Sequence, residues 1–245
     1  MPRRKQTEGE KKIDISQMAE DLGVSKTTVS RALSGNGRVS EATRARVVQY
    51  AKEKNYVPNM LARGLVTQQS YNISLVFSRQ FGNLAAPFLR KTVSAVYDIA
   101  TRNDYDVLMT MVGEQETSPM QRLLVNRKID GVILARTLER DPLIPMLQKS
   151  GIPFVAIGRP ADQDVISVDH DQVGGCRELV SLLLMKGMKR IALLGGTMLY
   201  TVNMSRLEGF KQAYDMMNQK IDESLLFLEL ETCLLYTSDA ADDRI

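Results

Sequence analysis

Between Ser25 and Ser34, five side chains carry hydroxyls (Ser25, Thr27, Thr28, Ser30 and Ser34) and two are cationic (Lys26 and Arg31). That set suits contact with a polyanion. Hydroxyls hydrogen-bond phosphate oxygens or either kind of base edge, cations neutralise phosphates, and arginine can also fork onto guanine. Short hydroxyl side chains let the backbone come close to its partner. Taken alone the stretch is a weak helix, because Ser and Thr compete for backbone hydrogen bonds and β-branched Val24 and Val29 lose side-chain freedom. Yet Val29, Ala32 and Leu33 keep helical apolar spacing, and Ser25 is placed as an N-cap. The spacing predicts a short helix with an outer face reserved for such a partner.

The flanking residues must position that helix. Ile15, Met18, Ala19 and Leu22 fall at i, i+3, i+4 and i+7, which predicts an amphipathic helix. Gly23 stops it, Val24 points back to the core and Ser25 opens the next helix. Two short helices joined by a tight glycine turn make a helix-turn-helix, with small Ala19 allowing close approach and Val29 packing beneath. A third helix follows "GNGRVS", capped by Ser40, with Val47 and Ala51 on its buried face. If the second helix enters a DNA major groove, Lys26 and Thr27 near its start reach base edges. Arg31, one turn on, reaches guanine or phosphate, and Ser25, Thr28, Ser30 and Arg38 meet the backbone. The alternative is a small three-helix core with a merely polar surface.

Charge follows the same division. Residues 1–65 hold 13 Lys and Arg against 7 Asp and Glu, whereas the remaining 180 hold 19 against 22. A basic head on a slightly acidic body suits a polyanionic partner. Residues 1–12, "MPRRKQTEGEKK", read as a disordered basic arm.

The run "DISQMAEDLGVSKTTVSRALSGNGRVSEATRARVVQYAKEKNYVPNMLARGL" resembles the DNA-binding head of the LacI/GalR (lactose-repressor) family. Ala19, "GVS…TVSR", "VSEATRARV" and "NYVPNMLARGL" carry the likeness. It implies a helix-turn-helix domain over 13–57 and a hinge helix with linker over 58–69. In such dimers two hinges pair in the minor groove and each inserts a leucine between base steps. Here that residue is Leu65, with Asn59, Ala62 and Arg63 beside it. An apolar wedge unstacks a step and bends the duplex onto more protein. The alternative for Leu65 is an ordinary linker residue. Gly64 stands where the pattern usually has Ser or Ala. Glycine costs roughly 1 kcal/mol in a helix relative to alanine, so this hinge should fold less readily without DNA.

Beyond "TQQS" the pattern changes to short β-rich runs: "YNISLVF", "YDVLMTM", "DGVILA", "IPFVAIG", "VISVD" and "RIALLGG". Helical segments at 88–103, 120–127, 141–150 and 173–185 separate most of them. Alternating strands and helices predict a doubly wound parallel α/β body, with ligands beyond the carboxyl ends of the strands. There Ser78, Arg79 and Phe81 follow the first strand at the mouth of a cleft, and Phe81 offers a ring to stack on a sugar. Gly174 and Gly175 are expected to allow close helix packing rather than to bind phosphate.

The body resembles the periplasmic-binding-protein-like effector domain of the same family, through "NLAAPFL", "DGVIL", "IPFVAIGR", "VDHDQVGG", "GMKRIALLGG" and "SRLEGF". The likeness implies an N-terminal subdomain over 70–160 and part of a second over 161–232. It also implies that Arg206 contacts the small molecule, its fork suiting a diol, carboxylate or purine. Asp169 and His170 stand where the family has an Asp-Asn-like pair. The alternatives are that Asp169 only caps the next helix and that His170 lies at the surface or supports the site from behind. Residues 233–245, "CLLYTSDAADDRI", break the pattern and read as sequencing-adapter read-through, so the genuine fragment is expected to end near 232.

Together these features imply a cytoplasmic bacterial transcriptional regulator, most simply a repressor. It would act as a homodimer on double-stranded operator DNA under a small-molecule effector, a sugar or sugar phosphate ahead of a purine. The competing class is a sugar-binding receptor without a DNA role, which the basic head and the absence of a secretion signal oppose. No apolar run is long enough to span a membrane. One histidine and two cysteines leave no metal-ligand cluster or disulfide framework. No nucleophile elbow, P-loop or dinucleotide fingerprint appears, so neither an enzyme nor a cofactor is expected.

Overall fold

The structure is a computed structural model that describes residues 13–35, 37–56, 64, 67–79 and 87–230. The expected basic arm, hinge residues Asn59, Ala62, Arg63 and Leu65, Phe81, and the stretch 233–245 lie outside the described residues. The chain divides after Thr67 into two units.

The first unit carries three helices, α1 (Ile15–Leu22), α2 (Lys26–Ser34) and α3 (Glu41–Glu53). Each begins at a side-chain cap. Asp14 accepts from the backbone N–H groups of Ser16 and Gln17, both at 2.8 Å. Ser25 accepts from Thr28 at 3.0 Å, and Ser40 from Thr43 at 3.2 Å. These bonds satisfy donors that the first turn of a helix leaves unpaired. Gly23, at φ 65° and ψ 34°, ends α1 in the left-handed conformation that the turn requires. Met18, Ala19, Val29, Ala32, Val47 and Ala51 form the buried core. Arg46 of α3 donates to the Leu22 carbonyl at the end of α1 at 3.3 Å, and the Tyr50 hydroxyl donates to Asp21. Further along, Gly64 and Thr67 both have helical backbone.

The second unit alternates strands and helices: β1 (Asn72–Ser78), α4 (Pro87–Arg102), β2 (Asp106–Val112), α5 (Ser118–Val125), β3 (Gly131–Leu134), α6 (Leu143–Ser150), β4 (Phe154–Ile157), β5 (Ser167–Val168), α7 (Gln172–Met185), β6 (Leu193–Leu194), α8 (Thr201–Met216) and β7 (Leu226–Phe227). Five strands make a parallel sheet in the order β2-β1-β3-β4-β5. Side chains alternate across a strand, so β1 serves two cores. Leu75 and Phe77 meet Leu89 of α4, whereas Val76 joins Met120, Leu123, Leu143 and Leu147 of α5 and α6. This is the doubly wound body that the sequence predicts.

Several details differ from expectation. β5 lies past residue 160 yet pairs with β4, Ala156 opposite Ser167, so the first sheet runs on beyond the boundary expected there. The expected strand "RIALLGG" shrinks to Leu193–Leu194, whose parallel partner, Leu226–Phe227, has no strand signal in the sequence reading. The expected glycine pair does not set the helix packing. α7 meets α8 at Gly209, where a Cβ would stand 2.2 Å from the Val173 carbonyl oxygen. Gly174 makes room for the Asp171 carboxylate, and Gly175 has open space around it. Among the described residues no helix is long and apolar enough to cross a membrane, and no cluster of His, Cys, Asp or Glu could hold a metal ion.

Candidate functional site

On the head, α2 presents Lys26, Thr27, Ser30, Arg31 and Ser34 to solvent, and its sequence "KTTVSRALS" holds no acidic residue. Val29 and Ala32 anchor the opposite face in the core. Two of the expected contact residues already have work within the helix. Ser25 caps it, and the Ser25 and Thr28 hydroxyls lie 2.8 Å apart. Arg31 lays its stem along the following turn, because a Cβ at Gly37 would be 3.0 Å from Arg31 Cδ. The φ of 92° at residue 37 favours glycine there. Arg38 is exposed just beyond. Arg44 of α3 puts a guanidinium nitrogen 3.5 Å from where a Gly35 Cβ would stand, at the carbonyl end of α2. Sequence reasoning missed Arg44, which stands out only once α3 is seen against α2.

Among the described residues of the α/β unit, the expected ligand residues fall into three groups. Arg206 on α8 donates through Nε to Gln172 Oε1 at 3.1 Å, at the start of α7. Asp169 and His170 stand in the same short connection between β5 and α7. Asp169 accepts the His170 backbone N–H at 2.8 Å, and the cap of α7 is Asp171, which accepts from Gly174 at 2.7 Å. The helix-cap alternative for Asp169 therefore falls away. His170 is exposed, its ring edge-on to Phe88 with centroids 6.4 Å apart. Cys176, half-buried on α7, has its thiol pKa raised by burial, against an opposing pull from the Arg206 charge.

Arg79 forms a second group. It pairs with Glu116 at 2.6 Å, and Glu116 also accepts the Gly113 N–H at 3.1 Å. That backbone bond, with the Arg79 charge behind it, holds the Glu116 carboxyl below its ordinary value.

Ser78 belongs to the third group and is fully buried. The Tyr200 hydroxyl donates to it at 2.7 Å. The side chains of Thr137 and Thr201 pair at 2.8 Å alongside. Arg136 and Asp141, both fully buried, form an ion pair at 3.0 Å, while Arg136 also donates to the Gly113 carbonyl and Asp141 accepts the Leu143 N–H. A cleft of about 250 Å³ opens where β2 and β3 end, lined by Glu114, Gln115, Leu138, Glu139, Arg140 and Leu199. None of the expected effector residues lines it.

Tyr200, Thr201, Gln172, Phe88 and the Arg136–Asp141 pair are absent from the sequence reading. Tyr200 meets Ser78 across 122 positions, and no local pattern announces such a contact.

Comparison with known proteins agrees with this architecture. The pattern described as "Bacterial regulatory proteins, lacI family" matches residues 14–59. That described as "Periplasmic binding proteins and sugar binding domain of LacI family" matches 73–226. The HTH-type transcriptional regulator AglR of Rhizobium meliloti is 34% identical over 217 residues, covering 87% of this chain and 61% of AglR. CelR of Thermobifida fusca is 35% identical, covering 86% and 64%. The chain thus spans less than two thirds of the length of these relatives. Among solved structures, a transcriptional regulator CelR–cellobiose complex aligns with TM-score 0.58 and 30% identity, covering 88% of this chain and 65% of the other. The lac repressor dimer bound to operator and the anti-inducer ONPF aligns with TM-score 0.69 at 24% identity, covering 86% and 64%, a likeness of fold.

Proposed function

The chain belongs to the LacI family of bacterial regulatory proteins, and from that premise we propose that it is a sequence-specific transcriptional regulator, a repressor, that reads operator DNA with α2 and answers to a sugar. The carrying observation is the outer face of α2. Lys26, Thr27, Ser30 and Arg31 are exposed together on a capped helix without acidic side chains, held by a buried three-helix core. In this reading Lys26, Thr27 and Arg31 face base edges, and Ser25, Thr28, Ser30 and Arg38 face phosphates. Asn59, Ala62, Arg63 and the wedge Leu65 enter the minor groove. The protein acts in the bacterial cytoplasm as a homodimer on a pseudo-palindromic site, since two-fold protein symmetry is matched by two half-sites. Its work is binding rather than catalysis.

For the effector, Arg206, Asp169 and His170 supply a charged fork, a carboxylate and a ring in adjoining segments, a set that suits a polyhydroxylated ligand. Arg79, after β1, is a further candidate for the same ligand, and Phe81 lies outside the described residues. Cellobiose, seen with a structurally similar regulator, is the first probe, and maltose serves as a second disaccharide.

The test is binding to a pool of random duplexes by fluorescence anisotropy, across a salt series, followed by selection of the tightest sequence. The expected result is an affinity that falls steeply with salt and a selected sequence with two related half-sites. Absence of duplex binding at low salt would overturn the regulator reading.

A further inference from the structure

The segment that opens α8 is stitched to the first sheet by a set of hydrogen bonds. Tyr200 donates to Ser78 at the end of β1. Thr201 bonds Thr137 through their side chains at 2.8 Å and through its N–H to the Thr137 carbonyl at 3.1 Å. Glu139 N–H reaches the Leu199 carbonyl at 3.0 Å, and Leu138 and Tyr200 bridge as antiparallel strands. Thr137 is itself fixed from below. A Cβ at Gly158, after β4, would stand 2.5 Å from its hydroxyl oxygen, so only glycine fits there.

Arg206 lies six residues past Tyr200 on the same stretch, about 9 Å along the helix at the usual rise. α8 sits against α7 at Gly209 with no room for a Cβ between them. A ligand that displaced Arg206 would move Tyr200 at the head of the same helix. The Tyr200 hydroxyl and Ser78 are buried, Tyr200 at 5% exposure and Ser78 at 0%. A buried hydroxyl pair is costly to leave half-made, so the bond is either formed or replaced, which is the behaviour of a latch. The next residue after Ser78 is Arg79, tied to Glu116 in the connection between β2 and α5.

We propose that Tyr200 is the positioning residue through which a sugar held at Arg206 acts on the first sheet, with its hydrogen bond to Ser78 as the latch. This rests on the regulator reading above.

The experiment measures the Kd for the selected duplex with and without cellobiose or maltose, in the wild type, Tyr200→Phe, Ser78→Ala and the double variant. Phe keeps the buried ring and Ala removes only a hydroxyl. With the regulator reading intact, sugar changes the wild-type Kd by roughly fivefold or more. In Tyr200→Phe and in Ser78→Ala the sugar-free Kd stays within about twofold while the sugar response collapses toward none, and the double variant loses nothing further. A duplex Kd that neither sugar moves in the wild type sinks the effector reading and the latch with it. A full sugar response in either single variant sinks the latch alone. Should Tyr200→Phe not fold, Ser78→Ala decides by the same readout.

Discussion

Gly209 of α8 lies so close to Val173 of α7 that a Cβ would stand 2.2 Å from the Val173 carbonyl oxygen and 3.0 Å from Cys176 Cβ. Backbone cannot yield as a flexible side chain does. Gly209→Ala is expected to cost about 1–3 kcal/mol through forced separation of the helices, read as a lower urea midpoint. Gly175→Ala is the contrast. That site is open, on the same helix α7, so alanine should raise stability by about 0.5–1 kcal/mol by removing the entropic penalty of glycine. Equal effects of the two changes would refute this assignment of the contact.

Arg31→Ala should weaken binding to the selected duplex by about 1–3 kcal/mol, the worth of a good arginine–base contact, and relax preference at one position of each half-site. The competing role, a phosphate contact, predicts a uniform loss across sequences and a salt slope smaller by about one. Comparing the selected duplex with a scrambled one in the anisotropy titration separates the two. A variant that binds both as tightly as the wild type removes Arg31 from the interface.

The head was legible because its signals are local. Ser25 and Ser40 cap helices where their spacing from Val29 and Val47 says they must, and Gly23 adopts the left-handed turn. The alternation of strands and helices was legible for the same reason. What sits at the strand ends was not. Ser78 looks like a cleft residue from its place after β1, yet Tyr200 buries it from the far side of the chain. Asp169 reads as a possible cap from its place before α7, yet Asp171 takes that role, with Gly174 leaving room for the capping carboxylate. β7 has two residues, too few for a period to show.

Acid should loosen the first turn of α1 in a way that one substitution abolishes. The Asp14 carboxyl is held below its ordinary value of 3.8, first by the Gln17 N–H and then by that of Ser16 and the charge of Lys26. A depressed folded pKa means that the unfolded chain binds the proton more readily. The contribution is therefore complete above the ordinary value and lost as pH falls through the folded one. The amide signals of Ser16 and Gln17 should lose their exchange protection in that window. Asp14→Asn keeps an N-cap but not the titration, so its protection should stay flat with pH. An unchanged acid limb in the Asn variant would assign the effect elsewhere, with Asp21, lowered chiefly by the Tyr50 hydroxyl, the next group to replace.

Arg206→Ala should separate the two proposed activities. Arg206 is exposed on α8, and Gln172 is the side chain it bonds, so its removal leaves no buried group unpaired. The fold and the affinity for the selected duplex should therefore match the wild type. The loss should fall on sugar binding, because a guanidinium fork can hold two hydroxyls at once and Arg206 is bonded to Gln172, three residues along the chain from Asp169. Calorimetry with the sugar that moves the wild-type Kd should show affinity reduced at least tenfold, about 1.4 kcal/mol. Gln172→Ala tests whether the Gln172 amide orients the guanidinium, and a smaller loss in the same direction is expected. Sugar affinity unchanged in Arg206→Ala would move the binding site away from α8 and toward the cleft beside Glu114 and Leu138, where Glu139→Ala would then be the informative change.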